Sequence, residues 1–157
     1  MQKFPMTAPG LQRLEDELRH LKSAERPAVI RAIAEARTHG DLSENAEYHA
    51  ARERQSFIEG RIAELEEIIS SAEVIDPSSL SGEHVKFGAH VRLVDEETDK
   101  ESAYQIVGVH EADIKSGKLS ISSPLAKALI GKKPGDSISV PAPGGDRTYE
   151  ILGVKFI

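Results

Sequence analysis

The sequence predicts an α+β protein built from two unlike parts: an N-terminal antiparallel coiled-coil hairpin over residues 1–76 and a small antiparallel sheet domain with one helix over residues 83–157. Three observations predict it. Leucines and isoleucines recur at alternating intervals of three and four residues through the first part. Apolar and polar residues alternate in short runs through the second. Between them, Asp76-Pro77-Ser78-Ser79-Leu80-Ser81-Gly82 holds turn formers with no apolar period, so residues 77–82 read as a linker. Charge changes at the same place. Up to Asp76 there are 10 basic and 15 acidic residues, and from Pro77 onward 10 and 11, so only the first part is strongly acidic.

In the first part Thr7 is placed to cap a helix, with Pro9 in the first turn, where its missing N–H has no partner to lose. Leu11, Leu14, Leu18 and Leu21 form one seam, which resumes at Ile30, Ile33 and Ala34. Between them Pro27 removes a ladder bond and crowds the carbonyl of Ser23, which predicts a kink. Arg37-Thr38-His39-Gly40 reads as the stop, with cations in the last turn and glycine at C′. A second seam runs through Ile58, Ile62, Leu65, Ile69 and Ala72 and extends back through Gln55 and Ala51. Two helices of about 30 residues with a short connection pack antiparallel, because neither buries its stripe alone; at 1.5 Å per residue they span roughly 45 Å. The expected hairpin is narrow and ends in an acidic tip near residues 40–48.

The second part alternates at Ala89–Val94, Tyr104–Val107, Lys118–Ile121, Ser137–Val140 and Tyr149–Leu152, which predicts five strands. Asp95–Lys100 and Pro143–Asp146 read as hairpin connections. Ser123-Pro124-Leu125-Ala126-Lys127-Ala128-Leu129-Ile130-Gly131 has the N-cap, N1 proline, apolar pair and C′ glycine of one short helix.

Composition narrows the function. A formal charge of −6 argues against a protein held on nucleic acid by bulk electrostatics, since neutralising phosphates needs excess cations. Zero cysteines exclude disulfides, thiolate zinc sites and a cysteine nucleophile, and suit a cytoplasmic location. No apolar run is long enough to span a membrane, and the first residues lack the apolar stretch of a signal peptide. The six histidines show no HExxH spacing, GxSxG is absent, and Gly131-Lys132-Lys133-Pro134-Gly135-Asp136 lacks the GxxxxGK[ST] pattern of a phosphate loop. The chain carries no self-contained catalytic constellation.

The tip, Gly40-Asp41-Leu42-Ser43-Glu44-Asn45-Ala46-Glu47-Tyr48, is the informative segment. Asp41 and Glu44 stand three residues apart at an expected helix start, a spacing that lets two carboxylates share a hard divalent cation. The same spacing is also a capping box, with acids complementing the helix dipole. Two carboxylates alone hold Mg²⁺ weakly, so the tip is half a metal site and needs ligands from a partner. Arg37 and Arg52 flank it and either meet a phosphate or RNA 3′ end or serve as ordinary helix-surface cations. Tyr48 either stacks on a base or closes the hairpin.

The segment Ala32-Ile33-Ala34-Glu35-Ala36-Arg37-Thr38-His39-Gly40-Asp41-Leu42-Ser43-Glu44-Asn45-Ala46-Glu47-Tyr48-His49-Ala50-Ala51 closely resembles the tip of the bacterial Gre transcript cleavage factors. Phe87-Gly88-Ala89, Tyr104-Gln105-Ile106-Val107-Gly108, Glu111-Ala112-Asp113, the Ser123–Lys132 stretch and Pro143-Gly144-Gly145 resemble the same family, in the same order. The resemblance implies a coiled-coil hairpin followed by an FK506-binding-protein-like domain. It implies RNA polymerase as partner, with the globular domain at the rim of the secondary channel and the hairpin reaching the active site. It implies that Asp41 and Glu44 help hold a catalytic Mg²⁺ of the polymerase, bound weakly or not at all by the isolated protein. Ser43, Arg37 and Arg52 match tip positions expected to orient water or the backtracked RNA 3′ segment. The protein is then a monomer when free, and a helper of the polymerase's nuclease activity rather than an enzyme.

Two rival readings stand beside this one. A secondary-channel inhibitor shares the architecture, but extra tip acids would favour it and the tip here keeps the plain cleavage motif. A coiled-coil-bearing peptidyl-prolyl isomerase or adapter belongs to another class. Isomerase chemistry relies on an aromatic-lined pocket, and the second part offers only Phe87, Phe156, Tyr104 and Tyr149.

Overall fold

A computed structural model of the chain describes residues 3–76 and 81–157. The elements run β1 (Phe4–Met6), α1 (Ala8–His20), a π-helical turn (Leu21–Glu25), α2 (Arg26–Arg37), α3 (Ala46–Ser70), β2 (Ala72–Val74), β3 (His90–Asp95), β4 (Glu101–Val107), a 3₁₀ turn (Ile114–Ser116), β5 (Lys118–Ser120), α4 (Pro124–Leu129), β6 (Ser137–Val140) and β7 (Arg147–Lys155). The fold is mixed α+β, helical first and sheet-rich after, as its residue patterns predict.

Packing divides the chain into two compact units, and the division differs from the one composition suggests. One unit is Gln12–Ser71; the other joins the residues up to Leu11 with those from Ala72 onward. Most of the expected 77–82 linker lies outside the described residues. The cause is a pair of short strands that periodicity does not reveal: β1 pairs parallel with β2, Phe4 opposite Ala72 and Met6 opposite Val74. Three residues each are too few to show a period of two. Ala72, expected on the helical seam, is therefore in a strand, and α3 ends at Ser70.

In the helical unit, α2 and α3 run back along one another. Val29, Ile58 and Ile62 form a core cluster, with Leu18 and Leu21 packed against it. Ile33, Ala36, Leu65 and Ile68 are buried as well. Two expectations need correction. Ile30 and Ala34 are exposed; Ile33 is buried as expected, and Val29 and Ala36 join it in the seam. The π turn is the reason: Arg26 N–H bonds to Leu21 O, five residues back, so one extra residue enters the turn and the apolar face resumes out of phase. Pro27 lies just beyond this turn, in the first turn of α2, where its missing N–H sits beside the widened turn. On α3, Ile68 is buried and Ile69 only half-buried.

Ion pairs bind the two arms along their flanks. Arg26 grips Glu59 with two hydrogen bonds of 2.8 Å, and Arg61 grips Glu17 at 2.7 and 2.9 Å. Arg54 pairs with Glu25, and Lys22 with Glu66 at 3.3 Å. These pairs are exposed or, for Arg61–Glu17, only partly buried, so each adds little stability by itself; what they do is fix register between the arms.

The second unit is built on a five-stranded sheet in the order β5-β4-β3-β7-β6. Four strands are antiparallel neighbours, but β5 lies parallel to β4, Ile106 opposite Leu119, so the sheet is mixed rather than antiparallel as expected. A two-residue period says nothing of strand direction; the crossover between Val107 and Lys118 decides it. Between Arg92 and Leu93 the pairing with β7 slips by one residue, a bulge that bends the sheet. Helix α4 behaves as its sequence indicates, with Ser123 Oγ accepting the Ala126 N–H at 3.2 Å and Gly131 at φ +86° after its end. Val85, Ala89, Val91, Leu93, Ile106, Leu119, Ala126, Leu129, Ile138 and Ile151 form the core between helix and sheet. No described helix is long and apolar enough to cross a membrane.

Candidate functional site

The tip of the helical unit begins where α2 runs out. Thr38 N–H and Oγ1 both bond to Glu35 O, at 3.0 and 2.6 Å, and His39 N–H bonds to Ala36 O at 3.1 Å. Gly40, at φ +104°, then turns the chain in a conformation that other residues adopt only under strain.

Asp41 opens the loop that follows. Its Oδ1 accepts both the Ser43 N–H at 3.0 Å and the Ser43 hydroxyl at 2.8 Å, a side-chain-to-backbone turn. These bonds stabilise the ionised form and hold the Asp41 carboxyl below the ordinary aspartate value, the Ser43 hydroxyl contributing most. Asp41, Leu42, Ser43 and Glu44 are all exposed. Glu44 has no side-chain hydrogen bond or ion pair among the described residues. Leu42 is an apolar side chain left 36% exposed here.

The capping-box reading does not survive. α3 starts at Ala46 and its cap is Asn45, whose Oδ1 accepts the Tyr48 N–H at 3.0 Å. Asp41 and Glu44 therefore precede the helix, and neither caps it. The sequence carried a signal for this, since asparagine before a first turn is a strong cap, but the Asp41-x-x-Glu44 spacing drew the role to the wrong residue. Asn45 also reaches back across the turn, its Nδ2 donating to Ala36 O at 2.6 Å.

The remaining predicted residues lie around this loop. The Arg37 guanidinium sits 5.9 Å from the centre of the half-buried Tyr48 ring, a cation–π arrangement joining the end of α2 to the first turn of α3. Arg52 is exposed one turn further along α3. His39 Nδ1 lies 3.1 Å from Glu47 Oε2, and His49 Nε2 lies 3.2 Å from Ser43 O. A shallow depression is lined by His39, Asp41, Glu44, Asn45, Ala46 and Glu47. Among the described residues no group of three or more His, Asp or Glu side chains is disposed to hold a metal ion.

A larger open depression lies on the sheet unit, with His90, Arg92, Tyr104, Gln105, Lys118 and Lys155 in its lining. Tyr104 is the one Phe, Tyr or Trp in that lining. Asp41 and Glu44 lie in the other depression, at the tip.

Two family profiles cover nearly the whole chain. Residues 4–74 match "Transcription elongation factor, N-terminal" and residues 80–156 match "Transcription elongation factor, GreA/GreB, C-term". The chain belongs to the GreA/GreB family of transcription elongation factors. Within that family its relatives carry the name GreA: "Transcription elongation factor GreA" of Acidiphilium cryptum is 83% identical, covering 99% of both chains. That of Rhodospirillum rubrum is 67% identical over the same shares. Among solved structures, the transcription factor Gfh1 aligns with 28% identity over 98% of this chain and 99% of its own, at a TM-score of 0.47.

Proposed function

We propose that this chain binds at the secondary channel of RNA polymerase and stimulates the polymerase's own Mg²⁺-dependent cleavage of backtracked RNA, returning arrested complexes to elongation. The helical unit acts as a coiled-coil hairpin that carries the tip to the active site, while the FK506-binding-protein-like sheet unit docks at the channel rim. One observation carries this reading: Asp41 and Glu44 are exposed carboxylates with no capping duty, because Asn45 has taken it.

The donor set fits an ion shared with a partner. Asp41 Oδ1 is occupied by Ser43, and its second oxygen has no bond among the described residues. With Glu44 this makes a hard oxygen pair without a third ligand, as expected for a hard cation completed by another protein. Asp41 and Glu44 would hold the ion; bound Mg²⁺ activates water and neutralises developing charge. Ser43 keeps Asp41 ionised and aimed. Arg37, steadied on Tyr48, and Arg52 orient the RNA 3′ segment. The chain completes another protein's catalytic centre and is not itself the nuclease.

The deciding experiment is a cleavage assay on a stalled elongation complex with and without the purified protein. Shortening of the RNA from its 3′ end only when both proteins are present supports the reading. Hydrolysis of RNA by the purified chain alone, or polymerase binding that slows elongation without cleavage, overturns it.

A further inference from the structure

The Asn45 side chain touches both arms of the helical unit at once. Its Oδ1 takes the Tyr48 N–H at 3.0 Å in the first turn of α3, and its Nδ2 donates to Ala36 O at 2.6 Å near the end of α2. Ala36 is buried, and its carbonyl also takes the His39 N–H at 3.1 Å, so the contact is made at a fixed point of the arm. Oδ1 faces a donor and Nδ2 faces a carbonyl, so flipping the amide would break both bonds; only a side chain with one acceptor and one donor fits. Between these anchors lie residues 37–44, which include Arg37, Asp41, Ser43 and Glu44. The loop has a second tie from the same residue, whose backbone N–H bonds to Leu42 O at 3.4 Å.

We infer that Asn45 is the positioning residue of the tip: by bridging Ala36 and Tyr48 through one amide, it closes the loop that carries Asp41 and Glu44 and so sets where the two carboxylates stand. The cap alone is not the device. An aspartate would cap α3 equally well, but would set a carboxylate oxygen against Ala36 O, where a donor is required. The loop would then lose its direct tie to Ala36, leaving the weaker His49–Ser43 and His39–Glu47 contacts across it, and a displacement near 1 Å at a reacting centre costs up to about a hundredfold in rate. The catalytic consequence rests on the proposed cleavage function; the structural one does not.

The test compares Asn45→Asp with Asn45→Ala in the full-length protein. Asn45→Asp is expected to keep the wild-type helix content by circular dichroism. It is also expected to leave the concentration giving half-maximal cleavage unchanged, while lowering the maximal rate by about ten- to a hundredfold. In the isolated protein, NMR amide exchange at Ser43, whose N–H is held by Asp41, should quicken in Asn45→Asp, with the Tyr48 amide still protected. Asn45→Ala should quicken both. If Asn45→Asp matches wild type in both rate and exchange, Asn45 is merely a cap and the inference fails. If wild type does not stimulate cleavage, the proposed function fails, and the exchange measurement still decides whether Asn45 orders the loop.

Discussion

Glu111 receives the first helical turn of the chain although it lies 104 residues later: its Oε2 accepts the Thr7 N–H at 2.8 Å, and its Oε1 accepts the Thr7 hydroxyl at 2.5 Å. Glu111 is 5% exposed and Thr7 4%, and Gly108 N–H adds a third bond to the carboxylate at 3.2 Å. Thr7 Oγ1 in turn accepts the Gly10 N–H at 3.1 Å, the cap its sequence position predicts. Glu111→Ala strands these buried donors, and an unmet buried donor costs about 1–3 kcal/mol. A loss of about 3 kcal/mol is expected, read as a lower urea midpoint at constant slope. Gly108→Ala should also destabilise, because an added Cβ would stand 2.2 Å from Pro5 O, a backbone atom with no room to yield.

The shifted seam gives a sharper contrast. Val29 is buried at 2% exposure and Ile30 is 51% exposed, the reverse of the expectation from leucine spacing. Val29→Ala should cost about 2 kcal/mol from lost methyl burial and the resulting cavity. Ile30→Ala should stay within about 0.5 kcal/mol of wild type. Thermal or urea unfolding of the two variants checks the phase that the π turn imposes.

Asp41→Asn and Glu44→Gln should each lower stimulated cleavage by at least about a hundredfold, the cost of removing one preorganised electrostatic contact to reacting atoms. Helix content and polymerase binding should stay at wild-type levels, because Asn45 and not these acids caps α3. Gel assays of RNA length and of complex formation separate the two effects.

Ser43→Ala tests what holds Asp41. Both bonds that depress the Asp41 carboxyl come from Ser43, and the hydroxyl is the larger contributor, so its loss should move the titration upward toward the ordinary value of 3.8. The sign follows from linkage. A carboxyl depressed in the folded state adds stability above its unfolded value, and that stability is lost as pH falls through the folded one. The Asp41 turn should therefore hold at neutral pH and loosen only below about pH 4. Carbon-detected NMR titration of the carboxyl reads the shift directly. Cleavage measured from pH 6 upward should show no limb due to Asp41.

Isolated protein titrated with Mg²⁺ by calorimetry should bind no tighter than about millimolar, because two carboxylates leave most of a six-oxygen shell to water. A tight single site would instead make the tip an independent metal centre.

Local chemistry determined much of this protein by itself. Alternating leucine and isoleucine spacing specifies helical arms, Ser123-Pro124 with Gly131 specifies α4, and two-residue alternation specifies the five sheet strands, because each is settled within a turn or two of chain. The acidic tip was legible for the same reason: Asp41, Ser43 and Glu44 sit side by side in the sequence. What only the tertiary structure decided depends on partners far along the chain or on a count that slips. The β1–β2 pair, the Thr7–Glu111 bond and the parallel seating of β5 join distant segments, which no local period encodes. The exposed Ile30 follows from a single extra residue in the π turn, and Asn45 rather than Asp41 is the cap because α3 begins at Ala46, five residues past Asp41. Where the loop ends settled that choice, which the Asp41-x-x-Glu44 spacing does not encode.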